Sequence, residues 1–139
     1  MRYVIPLFFM MLLALAMKKG VSQDVPTTTV MLTDELEAER VDVTVHCWSP
    51  DEDFGSEKLQ KHYDYIFKLQ SDTKVVTCTF DWLWGLFTYD VYVPSRDRDR
   101  CTNHLCRYII TRRGLCLHNP ITLLFDICEE WKELPPPKA

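Results

Sequence analysis

Apolar and polar side chains alternate along most of this chain. Val41, Val43, Val45 and Cys47 alternate with Asp42, Thr44, His46 and Trp48. A period of two predicts a half-buried strand with the valines and Cys47 on one face. The same period runs through Tyr63, Tyr65, Phe67 and Leu69, and through Val76, Cys78, Phe80 and Trp82. Phe87, Tyr89, Val91 and Val93 follow, then Cys106, Tyr108 and Ile110. Ile121, Leu123 and Phe125 give a last alternating row toward Trp131, and Thr27 to Leu32 is a short β-prone run. Turn-rich stretches separate these rows: a polar loop from Ser49 to Gly55, an aromatic turn from Asp81 to Gly85, a charged loop from Pro94 to Arg100, and a tight turn at Arg113-Gly114. Thr33 to Arg40 is helix-friendly and reads as a polar hairpin connection with at most one helical turn. Short strands between such turns predict an antiparallel all-β domain, a sandwich or a barrel.

The N-terminus breaks the pattern. Arg2 precedes an apolar run from Val4 to Met17, and Gly20-Val21-Ser22 supplies small residues. This is the layout of a secretory leader cleaved after Ser22. A membrane-spanning helix wants about 20 apolar residues, and Lys18 and Lys19 stop this run short. Three of the 16 basic residues, Arg2, Lys18 and Lys19, lie in the leader, which leaves 13 against 20 acidic ones, a formal charge of -7. An acidic domain is a poor fit to nucleic acid or to anionic lipid, both of which need a basic face. Neither is expected as a partner once the leader is removed. Secretion also bears on the six cysteines. In an oxidising compartment an even number in a short domain predicts a disulfide framework. Cys47, Cys78 and Cys106 all fall on inward faces, so several pairings are open. No Asn-x-Ser/Thr sequon occurs, so no N-glycan is expected. The Pro-rich end, 135–139, reads as an extended tail.

Candidate chemistry is sparse. His46, His62, His104 and His118 sit in no Ser/His/Asp or Cys/His arrangement, and there is no Gly-x-Ser-x-Gly elbow. A ribonuclease would need two histidines as acid and base, and His46 reads instead as a partly exposed strand residue. Cys101-x-x-His104-x-Cys106 with Cys116-x-His118 has zinc-ligand types, but oxidised sulfurs outweigh that reading in a secreted protein. No metal and no cofactor are expected. In Arg96-Asp97-Arg98-Asp99-Arg100, an extended backbone would point the three arginines one way and the two aspartates the other. That is either a cationic comb for an acidic receptor loop or charged glycan, or a self-neutralised solvated loop. Trp84, beside Gly85 in the aromatic turn, is the tryptophan expected to be exposed, as an anchor for a protein or a stacking surface for a sugar.

Val43-Thr44-Val45-His46-Cys47-Trp48-Ser49 and the acidic loop Asp51-Glu52-Asp53-Phe54-Gly55 together resemble the plant self-incompatibility S1 family, the S-protein homologues. Cys78-Thr79-Phe80-Asp81-Trp82, the aromatic strand Phe87 to Tyr92, Arg96-Asp97, Cys101 with Cys106, and Arg107 to Ile110 followed by Gly114 resemble further family segments in the right order. The likeness spans roughly Thr27 to Trp131. Three departures stand out: Lys61-His62 replaces a Pro-Gly type turn, Tyr108 replaces a tryptophan, and Cys116 and Cys128 exceed the usual four cysteines. Those two extra cysteines are a candidate third pair.

The resemblance implies a small secreted disulfide-stabilised β-sandwich, immunoglobulin-like in having two sheets, over residues 23–134. It implies no enzyme activity. A few members, from poppy stigma, act as self-recognition ligands on a pollen-surface receptor. By that analogy an extracellular, apoplastic ligand is expected, acting as a monomer on a cell-surface receptor protein. Its contacts would be Asp51, Glu52 and Asp53 of one loop, Arg96, Arg98 and Arg100 of another, and Trp84. The other functions considered are an apoplastic glycan-binding module using Trp84 and Arg96 to Arg100, and a small secreted hydrolase or ribonuclease.

Overall fold

The period-two rows become strands. In the computed structural model, which describes residues 27–36, 41–70, 73–101 and 103–132, nine strands run in chain order. They are β1 (Thr28–Asp34), β2 (Val43–Trp48), β3 (Asp53–Leu59), β4 (Asp64–Leu69), β5 (Val76–Trp82), β6 (Gly85–Tyr92), β7 (Leu105–Ile110), β8 (Gly114–Leu117) and β9 (Ile127–Glu130). A single helical turn, α1 (Pro94–Asp97), lies between β6 and β7. The expected leader and the Pro-rich tail lie outside the described residues.

Two sheets form. One is five-stranded in the order β4-β1-β7-β8-β9, and the other is four-stranded in the order β3-β2-β5-β6. The fold is the expected β-sandwich. Every neighbouring pair is antiparallel except β1 with β7, which is parallel. A long connection permits this, since the chain builds the whole four-stranded sheet and β4 between those two strands. Burial follows the alternation. Val43, Val45 and Cys47 are buried on β2 while Thr44, His46 and Trp48 are half-exposed. Tyr65, Phe67 and Leu69 are buried on β4 while Asp64, Ile66 and Lys68 face water. Tyr63, expected in that row, is exposed before the strand begins.

Polar bonds tie the layers across the core. The Tyr108 hydroxyl donates to the Val91 carbonyl at 2.7 Å, and the Tyr65 hydroxyl to the Gly55 carbonyl at 2.6 Å. Each joins the five-stranded sheet to the four-stranded one. A buried hydroxyl without a partner is costly, so these bonds let tyrosine stand in the core. Trp131 stacks on Phe87 with ring centroids 5.0 Å apart and donates its indole N–H to the Thr111 carbonyl at 3.0 Å. At Gly114 the β8–β9 pair approaches so closely that a Cβ would overlap the Glu129 carbonyl oxygen and lie 2.8 Å from the Glu130 Cα. Only glycine fits there.

Three disulfides complete the frame. Cys47–Cys78 joins directly opposed residues of β2 and β5 inside the core. Cys101–Cys106 closes a separation of 5 by tying the preceding loop to β7, and Cys116–Cys128 joins opposed residues of β8 and β9. The pairing of the first four cysteines, open in the sequence, is 47–78 and 101–106.

Four expectations need correction. Ile121, Leu123 and Phe125 do not form a strand. Residues 118–126 are a loop in which Asn119 Oδ1 accepts from Ile121 N and the Asn119 carbonyl accepts from Leu123 N. Leu123 takes a left-handed φ of 61°. Thr33 and Asp34 end β1 instead of starting a hairpin connection, and residues 37–40 lie outside the described ones. The acidic loop is shorter than expected, because Asp53, Phe54 and Gly55 already belong to β3. Pro94 to Arg100 is not extended. Proline at the first helical position fixes the turn of α1.

Candidate functional site

Strand direction sorts the loops into two ends. Trp48 pairs with Thr77, Val76 with Tyr92, Thr28 with Leu69, Thr29 with Leu105, and Leu117 with Ile127. The Leu69-to-Val76 and Tyr92-to-Leu105 connections cross between the sheets at that end. The described residues of four loops therefore meet there: 49–52, 70 and 73–75, 93–101 with 103–104, and 118–126. Residues 35–36 and 41–42, 60–63, 83–84 and 111–113 lie at the other end. The strands separate the two ends by roughly 20 Å, six residues at about 3.3 Å each.

The four-loop end is braced from beneath. Asp97 is fully buried. Its carboxylate accepts from Val93 N at 2.7 Å, from Arg96 Nε at 2.9 Å and from Arg96 Nη2 at 2.7 Å. Arg100 Nε lies 3.1 Å from Asp97 Oδ1, an ion pair without hydrogen-bond alignment. Arg96 Nη2 also reaches the Asp90 carbonyl at 2.8 Å. Neither the comb nor the solvated loop describes this run. Helical geometry turns Asp97 inward, where two guanidiniums compensate its charge. Only Arg98 and Asp99 project freely into solvent.

Loop 118–126 is braced as well. Cys116–Cys128 closes its base, Asn119 N donates to the Leu124 carbonyl at 2.7 Å, and the Thr122 hydroxyl donates to Asp126 Oδ2 at 2.8 Å. That last bond is the main cause holding the Asp126 carboxyl below its ordinary range. The tip presents Ile121, Leu123 and Leu124 to water, with Ile121 90% exposed. Three large aliphatics on a fixed loop are unusual for a monomer surface. Sequence reading missed this tip. The available signal was Asn119-Pro120, which ends a strand and starts a turn.

Asp51 and Glu52 are exposed at the same end, in a tight turn closed by Ser49 N donating to the Glu52 carbonyl at 2.8 Å. Asp51 also pairs with Lys74 at 3.7 Å, joining two loops. A shallow hollow of about 290 Å³ lies between them, lined by Ser49, Asp51, Glu52, Gln70 and Thr73. Asp53 is engaged locally. It accepts from Gly55 N at 2.8 Å and pairs with His46 Nε2 at 2.9 Å. The Gly55 bond first, and His46 second, hold its carboxyl below the ordinary range. Trp84 lies at the opposite end. It is half-buried, with the Arg112 guanidinium 5.0 Å over its ring. The structure thus brings Asp51, Glu52, Arg96, Arg98 and Arg100 to one end and leaves Trp84 apart.

The chemical candidates resolve similarly. Cys101, Cys106 and Cys116 are disulfide-bonded, so their sulfurs are not thiolates for zinc. His46 of β2 pairs with Asp53 of β3, and His62 with Glu35 at 2.9 Å at the far end. His118 packs edge-on against Phe125. Among the described residues, His46, His62 and His118 each have a partner other than a histidine.

Comparison with known proteins agrees with this geometry. The family model for plant self-incompatibility protein S1 matches residues 29–131. S-protein homolog 2 of Arabidopsis thaliana is 28% identical over 111 residues, covering 76% of this chain and 68% of its own length. S-protein homolog 29 of the same plant is 26% identical over 107 residues, covering 75% and 77%. S-protein homolog 20 is 33% identical over 79 residues, covering 55% and 58%. A solved self-incompatibility protein homologue, from a family described as small, highly stable, secreted proteins from plants, superposes with a TM-score of 0.53. It covers 81% of this chain and 91% of its own at 13% identity, a likeness of fold alone.

Proposed function

The chain belongs to the plant self-incompatibility protein S1 family, the S-protein homologues, and on that premise we propose that it is a secreted recognition ligand that docks by its four-loop end on a cell-surface protein. One observation carries this reading: the loops of that end are fixed from beneath while their tips stay exposed. Two disulfides and the buried Asp97 cluster order them before any partner arrives. Ordering loops in advance lowers the entropic cost of binding, and loops on a rigid scaffold are where recognition residues concentrate. Ile121, Leu123 and Leu124 suit an apolar pocket on the partner. Asp51, Glu52 and Arg98 supply a charged rim that sets specificity and encounter rate.

The reading makes the protein extracellular, free of cofactor and without a reaction of its own. The glycan-binding alternative needs Trp84 and the Arg96 to Arg100 run on one surface, and they stand at opposite ends. Two measurements test the proposal. Protein recovered from the extracellular fluid should begin at Gln23 on N-terminal sequencing. Labelled, oxidised protein should bind intact plant cells saturably, and protease treatment of those cells should abolish the binding. Unsaturable or protease-resistant binding would count against a protein receptor, and turnover of RNA, glycan or peptide would count against a pure ligand.

A further inference from the structure

The two long sides of the sandwich differ. On one, the β3–β4 connection crosses from sheet to sheet. On the other, each sheet stops at an edge strand, β6 in one and β9 in the other. An open groove of about 420 Å³ runs between these edges. Its floor is aromatic: Phe87, Tyr89 and the Trp131 ring stacked on Phe87. Its rim carries the carboxylates of Glu129 and Glu130 from β9; Asp90 of β6 also lines it, with its own carboxylate accepting from the Thr77 hydroxyl. Arg96 reaches the groove as well, but Asp97 neutralises it. Lys132 is the other cation on the rim.

An eight-residue edge strand presents a row of backbone donors and acceptors, a template for another chain. Natural edges are commonly blunted by lysine, proline or a bulge. Gly85–Tyr92 contains neither lysine nor proline. Its register irregularity lies opposite Val76 and Thr77, at the Tyr92 end, so Leu86 to Asp90 stays regular. Those five residues line the groove and span about 17 Å, with the Asp90 carbonyl at one end already accepting from Arg96.

We propose that this groove binds an extended segment of a partner protein, with lysine or arginine at alternate positions, added as a strand along β6. Alternate side chains of an added strand point into the groove. A lysine or arginine there lays its stem on the aromatic floor and carries its charge to Glu129 and Glu130 on the far wall. Burial first, and the neighbouring Glu129 carboxylate second, raise the Tyr89 phenol above its ordinary range. Main-chain bonds to β6 supply affinity and the acidic rim selects the segment. This groove lies along the side of the sandwich, so it stands or falls independently of the four-loop end.

The test is fluorescence anisotropy on the full, oxidised protein with a labelled peptide of alternating lysine and threonine, six residues long. Binding is expected with a Kd below about 1 mM and should weaken as salt is raised. Three comparisons should each weaken it by about tenfold or more: a glutamate–threonine peptide, a lysine–threonine peptide N-methylated at alternate residues, and the Glu129→Lys, Glu130→Lys double variant. Near-UV circular dichroism of that variant should match the unaltered protein, because both side chains are exposed. Equal binding of the acidic peptide, equal binding of the N-methylated peptide, indifference to the double variant, or no binding at about 1 mM would overturn the proposal. A concentration-dependent dimer in analytical ultracentrifugation that Thr88→Pro abolishes would put a second copy of the chain on β6, and would overturn it too.

Discussion

Replacing Asp97 with asparagine removes one negative charge from beneath the four-loop end and barely alters volume. In the native fold that carboxylate receives three hydrogen bonds and an ion pair, from Val93 N, Arg96 and Arg100. The Asp97 side chain is 0% exposed, and those of Arg96 and Arg100 are 28% and 24% exposed. Removing one partner from a buried pair costs about 3–5 kcal/mol. Both guanidiniums retain some contact with water, which screens them, so the lower end, about 3 kcal/mol, is the expected loss. For a domain of roughly 110 residues, with unfolding entropy of about 2.1 cal/mol/K per residue, each kcal/mol moves Tm by about 4 °C, so Tm should fall by roughly 12 °C. Urea unfolding followed by tryptophan fluorescence, with the disulfides intact, reads the change as a lower midpoint at unchanged slope. Asp99→Asn is the control. Asp99 is exposed, and its change should stay within about 0.5 kcal/mol. A loss for Asp97→Asn below about 1 kcal/mol would mean that the cluster behaves like a surface ion pair, and the bracing of loop 93–104 would have no basis.

Gly114→Ala should cost about 3 kcal/mol, the upper end of overpacking penalties, because the clash is with the Glu129 backbone and no side chain can rotate away; thermal unfolding unchanged from the native chain would contradict the close β8–β9 approach. Cys116→Ser with Cys128→Ser opens a loop of separation 12 and should cost about 3 kcal/mol by loop entropy, with amide exchange rising first in residues 118–126; uniform exchange there would show that the hydrogen bonds alone fix the loop. Asp34 tests the far end. Burial first, and the charges of Asp42 and Glu35, raise its carboxyl above the ordinary 3.8, against the Leu36 N–H bond and His62, which lower it. The native state then holds that proton more tightly than the unfolded chain does. Its stabilising contribution is complete below 3.8 and is lost as pH rises through the raised value. Relative to Asp34→Asn, the native chain should therefore lose stability with rising pH just above 3.8 in urea titrations; a gain would reverse the assigned cause.

Strands with strong alternation were legible because one face is apolar and one polar, as on β2 and β4. β3 was not, because of its seven residues only Leu59 is buried and its sequence alternates nothing. Edge strands can be held by backbone bonds with little burial, and hydropathy is blind to that. The parallel β1–β7 pairing depends on long-range strand order, which local periodicity does not carry. In the four-loop end, the acidic and arginine-rich segments were visible as composition, yet their roles were not. Alternating charges read as an extended comb, whereas Pro94 sets a helical turn and buries Asp97. Trp84 looked like an exposed anchor because it sits in a turn, and Arg112, distant in sequence, covers its ring. The apolar tip at 121–124 looked like a strand because three alternating residues do not distinguish a strand from a loop. The β6–β9 groove becomes visible only once both sheet edges are known.

The measurement that bears most directly on the recognition surface compares the two ends in one binding assay. Labelled, oxidised protein is titrated onto intact plant cells beside Ile121→Ser with Leu123→Ser, at the four-loop end, and Trp84→Ala, at the far end. Ile121 and Leu123 are exposed, so the fold should tolerate the double change. If recognition uses the four-loop end, the double variant binds about tenfold more weakly or worse, and Trp84→Ala binds like the native chain. Full binding by the double variant, with binding lost in Trp84→Ala, would move the recognition surface to the opposite end and contradict the account.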